Sequence, residues 1–167
     1  HHINAVEVNK SNFIGMPDIK QIGQIKSEYQ PYFEEYVSNV SSLDMAASLE
    51  SLAFCVACCK NLGVSNILDC GSGFSSFVFR NSEKSFSKNS AWKVLSIDDE
   101  PSWIRATKKY LQQYELNNDS ALMVLDDFLV HESAQIEKYD FIFYDLGRMP
   151  VRIENLKGLL IIFLKAV

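Results

Sequence analysis

Apolar residues recur every three or four positions through Ile19, Ile22, Ile25, Tyr29, Tyr32, Phe33, Tyr36 and Val37, the spacing of one buried helix face. Pro31 falls inside that run. It removes a backbone donor and crowds the preceding turn, so the pattern predicts one kinked helix or two. A second helical pattern opens at Ser42 or Asp44 and passes through Met45, Leu49, Leu52, Phe54 and Val56 to Lys60, with Gly63 as its stop. Beyond it the rhythm changes. Short apolar runs at 66–70, 93–97, 122–125 and 139–144 read as buried strands. Between them lie a helix opening near Ser75, a polar Ser-rich loop over 81–91, and a helix from Pro101 through Trp103, Ile104, Thr107, Leu111 and Tyr114. A last helical pattern begins at Arg152 and runs through Leu156, Leu159, Leu160 and Phe163. Strands that alternate with helices imply an α/β fold with a parallel sheet covered on both faces. Residues 1–43 are expected to form a helical N-terminal cap, and 44–167 the α/β core.

Composition changes this picture little. The 167 residues suffice for one domain with a proper core. A net charge of −5 gives no global attraction to nucleic acid, and the basic pair Lys108-Lys109 reads as a solvated helix face. No apolar run is long enough to span a bilayer. Cys55, Cys58 and Cys59 lie in an apolar helical segment and Cys70 closes the first strand. Cys55-x-x-Cys58 has redox or zinc spacing, but no second Cys or His pair completes a metal site, so the thiols read as small buried apolar groups. Unpaired buried thiols fit a reducing, cytoplasmic setting.

Candidate chemistry collects at the strand ends. Asn66-Ile67-Leu68-Asp69-Cys70-Gly71-Ser72-Gly73 is an apolar run that ends in an acid and turns sharply through two glycines. In α/β sheets ligands bind at such turns, outside the carboxyl ends of the strands. Asp98, Asp127 and Asp145 follow the next three strands or nearly so, which places a row of carboxylates along one rim. That row suits a ligand with hydroxyls and an amine and repels a polyphosphate. A dinucleotide fingerprint needs a third glycine where Ser76 stands, and a P-loop needs a Gly-Lys-Ser/Thr that is missing.

The Asp-x-Gly-x-Gly pattern of Asp69 to Gly73 resembles the first motif of the class I methyltransferases that use S-adenosylmethionine. Val94 to Trp103 is similar to that family's second strand and turn, with an acid, then Glu100-Pro101, then an aromatic. Val124-Leu125-Asp126-Asp127-Phe128-Leu129 looks like its third strand segment, and Tyr139 to Asp145 like its fourth. The match runs from residue 44 to about 165 in the family's order. It implies a Rossmann-like sheet with visible strand order 3-2-1-4. It also implies roles. The backbone of Gly71, Ser72 and Gly73 would cradle the methionine end of S-adenosylmethionine, with Asp69 near its ammonium, directly or through water. Asp98 would accept hydrogen bonds from both ribose hydroxyls. Asp127 and Phe128 would flank the adenine, while Asp126 and Asp127 equally suit the first turn of a helix. Asp145 is a candidate for the reacting centre.

No metal cluster and no firm catalytic base stand out. His131, the lone internal histidine, reads as a surface residue, and Trp103 and Tyr110 as core. Family members continue into a further strand and an antiparallel pair, whereas this chain stops at Val167. The core is therefore expected to lack its C-terminal strands, as a fragment or a shortened relative, or else the tail itself supplies a strand, as it could across a homodimer. The expected activity is methyl transfer to a small-molecule acceptor, with neither nucleic acid nor membrane as partner. The alternative is a shortened methyltransferase-like module that binds a nucleoside ligand or a partner without catalysis. A nicotinamide oxidoreductase is disfavoured by Ser76, and an aminopropyl transferase by the lack of an identifiable polyamine pocket.

Overall fold

The computed structural model describes residues 15–86, 92–116, 121–131 and 138–147. The expected helix from Arg152 onward lies outside them. Helix α1 (Ile19–Asn39) starts where Asp18 accepts the Gln21 N–H at 2.7 Å, an N-cap that satisfies one otherwise orphaned donor. It runs without a break through Pro31. The proline sits on the exposed side, while Ile25 and Tyr29 before it and Tyr36 after it are buried. Packing on both sides of the defect holds one helix where the local rule predicts a kink or a stop.

Helix α2 (Leu49–Leu62) begins later than the pattern suggests. Ser48, not Ser42 or Asp44, is its N-cap, and residues 43–46 instead form a turn and a bend. Gly63 closes it in the left-handed conformation (φ 65°), donating back to the carbonyls of Cys59 and Lys60. Strand β1 (Asn66–Cys70) leads into α3 (Phe74–Phe86), then β2 (Lys93–Asp98), α4 (Pro101–Gln113), β3 (Leu122–Val124), α5 (Leu125–His131) and β4 (Phe141–Tyr144). Helix α3 takes up 81–86 of the predicted loop. Helix α5 claims Leu125 from the predicted third strand and sets Asp126 and Asp127 in its first turn, where carboxylates favour the helix dipole.

The four strands form one all-parallel sheet in the order β3-β2-β1-β4, the expected Rossmann-like arrangement. Alternation along β1 divides the core. Ile67 joins the larger cluster with residues of α1, α2, α3 and α4 on one face, whereas Leu68 and Cys70 join Ile97, Leu125, Phe128 and Leu146 on the other. Asp69 points to the larger side, opposite Ser96 of β2. An aromatic group locks α1 to α3 and α4. Phe77 meets Tyr32 at 5.2 Å, Tyr110 at 5.4 Å and Tyr114 at 4.8 Å between ring centroids. Such tilted and edge-on pairs each add about 0.5–1.5 kcal/mol beyond area burial. The predicted cap helix α1 therefore belongs to the main core.

Candidate functional site

A cleft of about 610 Å³ opens over the carboxyl ends of β1, β2 and β4. Its floor is the turn Gly71-Ser72-Gly73 and the start of α3. Gly71 has φ 105°, and a Cβ there would lie 2.5 Å from the backbone oxygen of Asp145. Both the backbone angle and the space demand glycine. The turn is tied to the sheet on each side: the Gly71 N–H donates to Ile97 O at 2.9 Å, and the Asp145 N–H to Cys70 O at 2.7 Å.

Asp69 lies beneath the cleft, fully buried and absent from its lining. It accepts from three hydroxyls, Ser75 Oγ at 2.7 Å, Ser76 Oγ at 2.6 Å and Ser96 Oγ at 2.7 Å. Ser76 Oγ in turn accepts the Gly73 N–H at 3.2 Å. Arg80 donates to Ser96 Oγ at 2.8 Å and to the carbonyl oxygens of Ser76, Val94 and Ala121. Burial raises the Asp69 carboxyl above its usual range despite these donors. The network holds the turn in shape, and in this geometry Asp69 meets the loop's serines rather than the cleft.

Asp98 does face the cleft, from the end of β2. Its Oδ2 accepts the Ser72 N–H at 2.7 Å and Ser72 Oγ at 3.0 Å, and its Oδ1 accepts the Glu100 N–H at 3.0 Å. Burial moves its carboxyl up to about 6, so it remains largely ionised at neutral pH. A carboxylate has roughly four acceptor positions, so Oδ1 keeps one for a ligand donor. Glu100, not Asp98, is the N-cap of α4.

Every ionisable acid or base lining the cleft among the described residues, apart from the phenol of Tyr36, is a carboxylate: Asp44, Asp98, Asp99, Glu100 and Asp145. Asp145 also lines a smaller adjoining hollow with Phe143, Tyr144 and Ser51. The predicted adenine partners stand elsewhere. Asp127 is exposed on α5, and Phe128 is buried in the smaller core on the opposite face of the sheet. Neither lines the cleft. His131 is exposed at the end of α5, as expected of a surface histidine. Trp103 is a correction: it is half-buried and lines the cleft instead of joining the core, whereas Tyr110 is core. Cys59 and Cys70 are buried, Cys55 and Cys58 half-buried, and burial raises all four thiols. Among the described residues no group of three or more His, Cys, Asp or Glu is placed to hold a metal ion, and no helix is long and apolar enough to cross a membrane.

Two contributions escape sequence reasoning. Segment 44–47 forms one wall, and Tyr36 of α1 forms another, with its hydroxyl against Gly73. Helical spacing marks Tyr36 as buried but gives no sign that its phenol oxygen ends at a turn so much later in the chain. No protein-family model matches the sequence, and no curated protein matches it.

Proposed function

We propose that this chain is an S-adenosylmethionine-dependent methyltransferase acting on a small-molecule acceptor. The observation that carries the reading is the pairing of Asp98 with the Gly71-Ser72-Gly73 turn in one cleft whose charged residues are all acidic. A nucleoside carrying a sulfonium and an ammonium brings positive charge to that field. A nicotinamide dinucleotide brings a pyrophosphate that the same carboxylates repel. The residues fit the cofactor in three further respects. Ser72 presents a backbone already fixed by Asp98, Oδ1 of Asp98 retains an acceptor position for a ribose hydroxyl, and Trp103 adds an apolar surface beside it.

When bound, S-adenosylmethionine supplies a methyl group already activated on sulfur. The protein's share is then positioning and exclusion of water. Gly71 and Gly73 let the ligand approach the backbone, Asp98 holds the sugar, and the acids keep the positive end of the ligand in the cleft. An acceptor hydroxyl or amine that must lose a proton finds carboxylates there, of which Asp44 and Asp145 line both the cleft and the adjoining hollow. The described cleft has no histidine, lysine or cysteine. That observation favours the second reading, a module that binds the nucleoside without turnover.

Asp98→Asn tests the assignment with little change of shape. Loss of a charged acceptor for ribose is expected to weaken S-adenosylhomocysteine binding by about 2 kcal/mol, near thirtyfold, in equilibrium titration. Equal affinity in the variant and the wild type would remove Asp98 from the site.

A further inference from the structure

We infer that the hydroxyl of Tyr36 and the amino end of α3 form a subsite for the carboxylate of the ligand's amino-acid end. The inference rests on the methyltransferase reading above and adds a residue from α1 to it. Tyr36 is only 2% exposed, yet its side chain lines the cleft. Among the described residues its hydroxyl makes no hydrogen bond. The ring packs on Phe74 at 5.3 Å and on Tyr110 at 4.9 Å. A buried hydroxyl left unpaired loses its hydration with nothing in return, so its retention calls for a partner that arrives later.

The location identifies the partner. A Cβ built on Gly73 would lie 3.0 Å from the Tyr36 oxygen, so the hydroxyl stands over the residue immediately before α3. The first N–H groups of that 13-residue helix have no carbonyl of their own to meet and carry the positive end of its dipole. A phenol O–H and helix N–H groups together make a donor-rich spot inside a cleft whose other ionisable groups, among the described residues, are carboxylates. Burial and the charges of Asp98 and Asp69 raise the phenol well above its ordinary value, so it stays protonated and able to donate. A zwitterionic amino-acid group suits this division: its carboxylate meets the donors, and its ammonium faces the acids.

The test compares wild type with Tyr36→Phe, which keeps the ring and removes only the oxygen. Two ligands are titrated, S-adenosylhomocysteine and 5′-methylthioadenosine, the second lacking the amino-acid end. The melting temperature without ligand is recorded for both proteins. The expected result is about tenfold weaker binding of S-adenosylhomocysteine, unchanged binding of methylthioadenosine, and a melting temperature equal to or above that of wild type. Unchanged S-adenosylhomocysteine affinity in the variant overturns the inference, as does an equal loss for both ligands or a lowered melting temperature without loss of affinity. Failure of the wild type itself to bind either nucleoside overturns the methyltransferase reading instead, and this subsite with it.

Discussion

Asp69 and Asp98 show how two acids one strand apart acquire different roles. Both follow apolar runs, and from the sequence both are rim carboxylates. They share one face of the sheet, since Asp69 lies opposite Ser96 and Asp98 follows two residues on, so depth along the strands decides between them. Asp69 sits deeper in the sheet, where Ser75, Ser76 and Ser96 surround it, and Asp98 is the last residue of β2, where the cleft reaches it. The serines were visible only as the absence of a third glycine at Ser76. That they would gather on a single carboxylate depends on the register of β1 against β2 and on the pitch of α3. Burial also gives Asp98 a measurable signature. Its folded-state value lies at about 6, above the ordinary 3.8, so the folded protein holds the proton more tightly than the unfolded chain. This contribution to stability is complete below 3.8 and is lost as pH rises through about 6. Urea unfolding of wild type and Asp98→Asn at several pH values isolates it, because the variant cannot titrate at that position. Wild type should lose stability relative to the variant between pH 4 and pH 7. A constant difference, or one of opposite slope, would contradict the buried placement.

At the level of elements, the strands were the most legible. Strand β1 was read with its observed bounds because an apolar run stops at an acid and a glycine turn, and three signals agree there. Helices were less so. The predicted loop opens as helix through residue 86, since polar Asn81 and Ser82 are tied to the Tyr29 hydroxyl of α1, a contact that composition does not announce. The short α5 was missed because it shares only Leu125 with the expected strand, and the single spacing from Leu125 to Phe128 is too short a pattern to mark a helix. Pro31 gave the clearest conflict between local and tertiary preference. An interior proline costs a helix about 3 kcal/mol, and α1 accepts it because Tyr29, Tyr36 and their neighbours are packed on either side. Pro31 is exposed, so Pro31→Ala restores a backbone donor without disturbing that packing. The substitution should raise stability by about 1–3 kcal/mol in denaturant unfolding. A loss would mean that α1 uses the proline to reach its place on α3.

For the whole molecule, strand order and sheet direction were legible because parallel crossovers leave few topologies open. The composition of the cleft was only partly so. Acids at strand ends predicted its charge, and the sheet alone predicted its position. Tyr36 and residues 44–47, which form two of its walls, arrive through packing of α1 and the turn before α2. No local pattern reports that packing. The result is a cleft assembled between the carboxyl ends of the strands and helix α1, which shares the main core. Its charge is the property on which the functional reading turns, because it separates a cationic nucleoside from a pyrophosphate. Calorimetric titration of the wild-type chain with S-adenosylmethionine, S-adenosylhomocysteine and a nicotinamide dinucleotide measures that selectivity directly. Micromolar binding of the two sulfur nucleosides and none of the dinucleotide is the expected outcome; binding of the dinucleotide, or of none of the three, would contradict it.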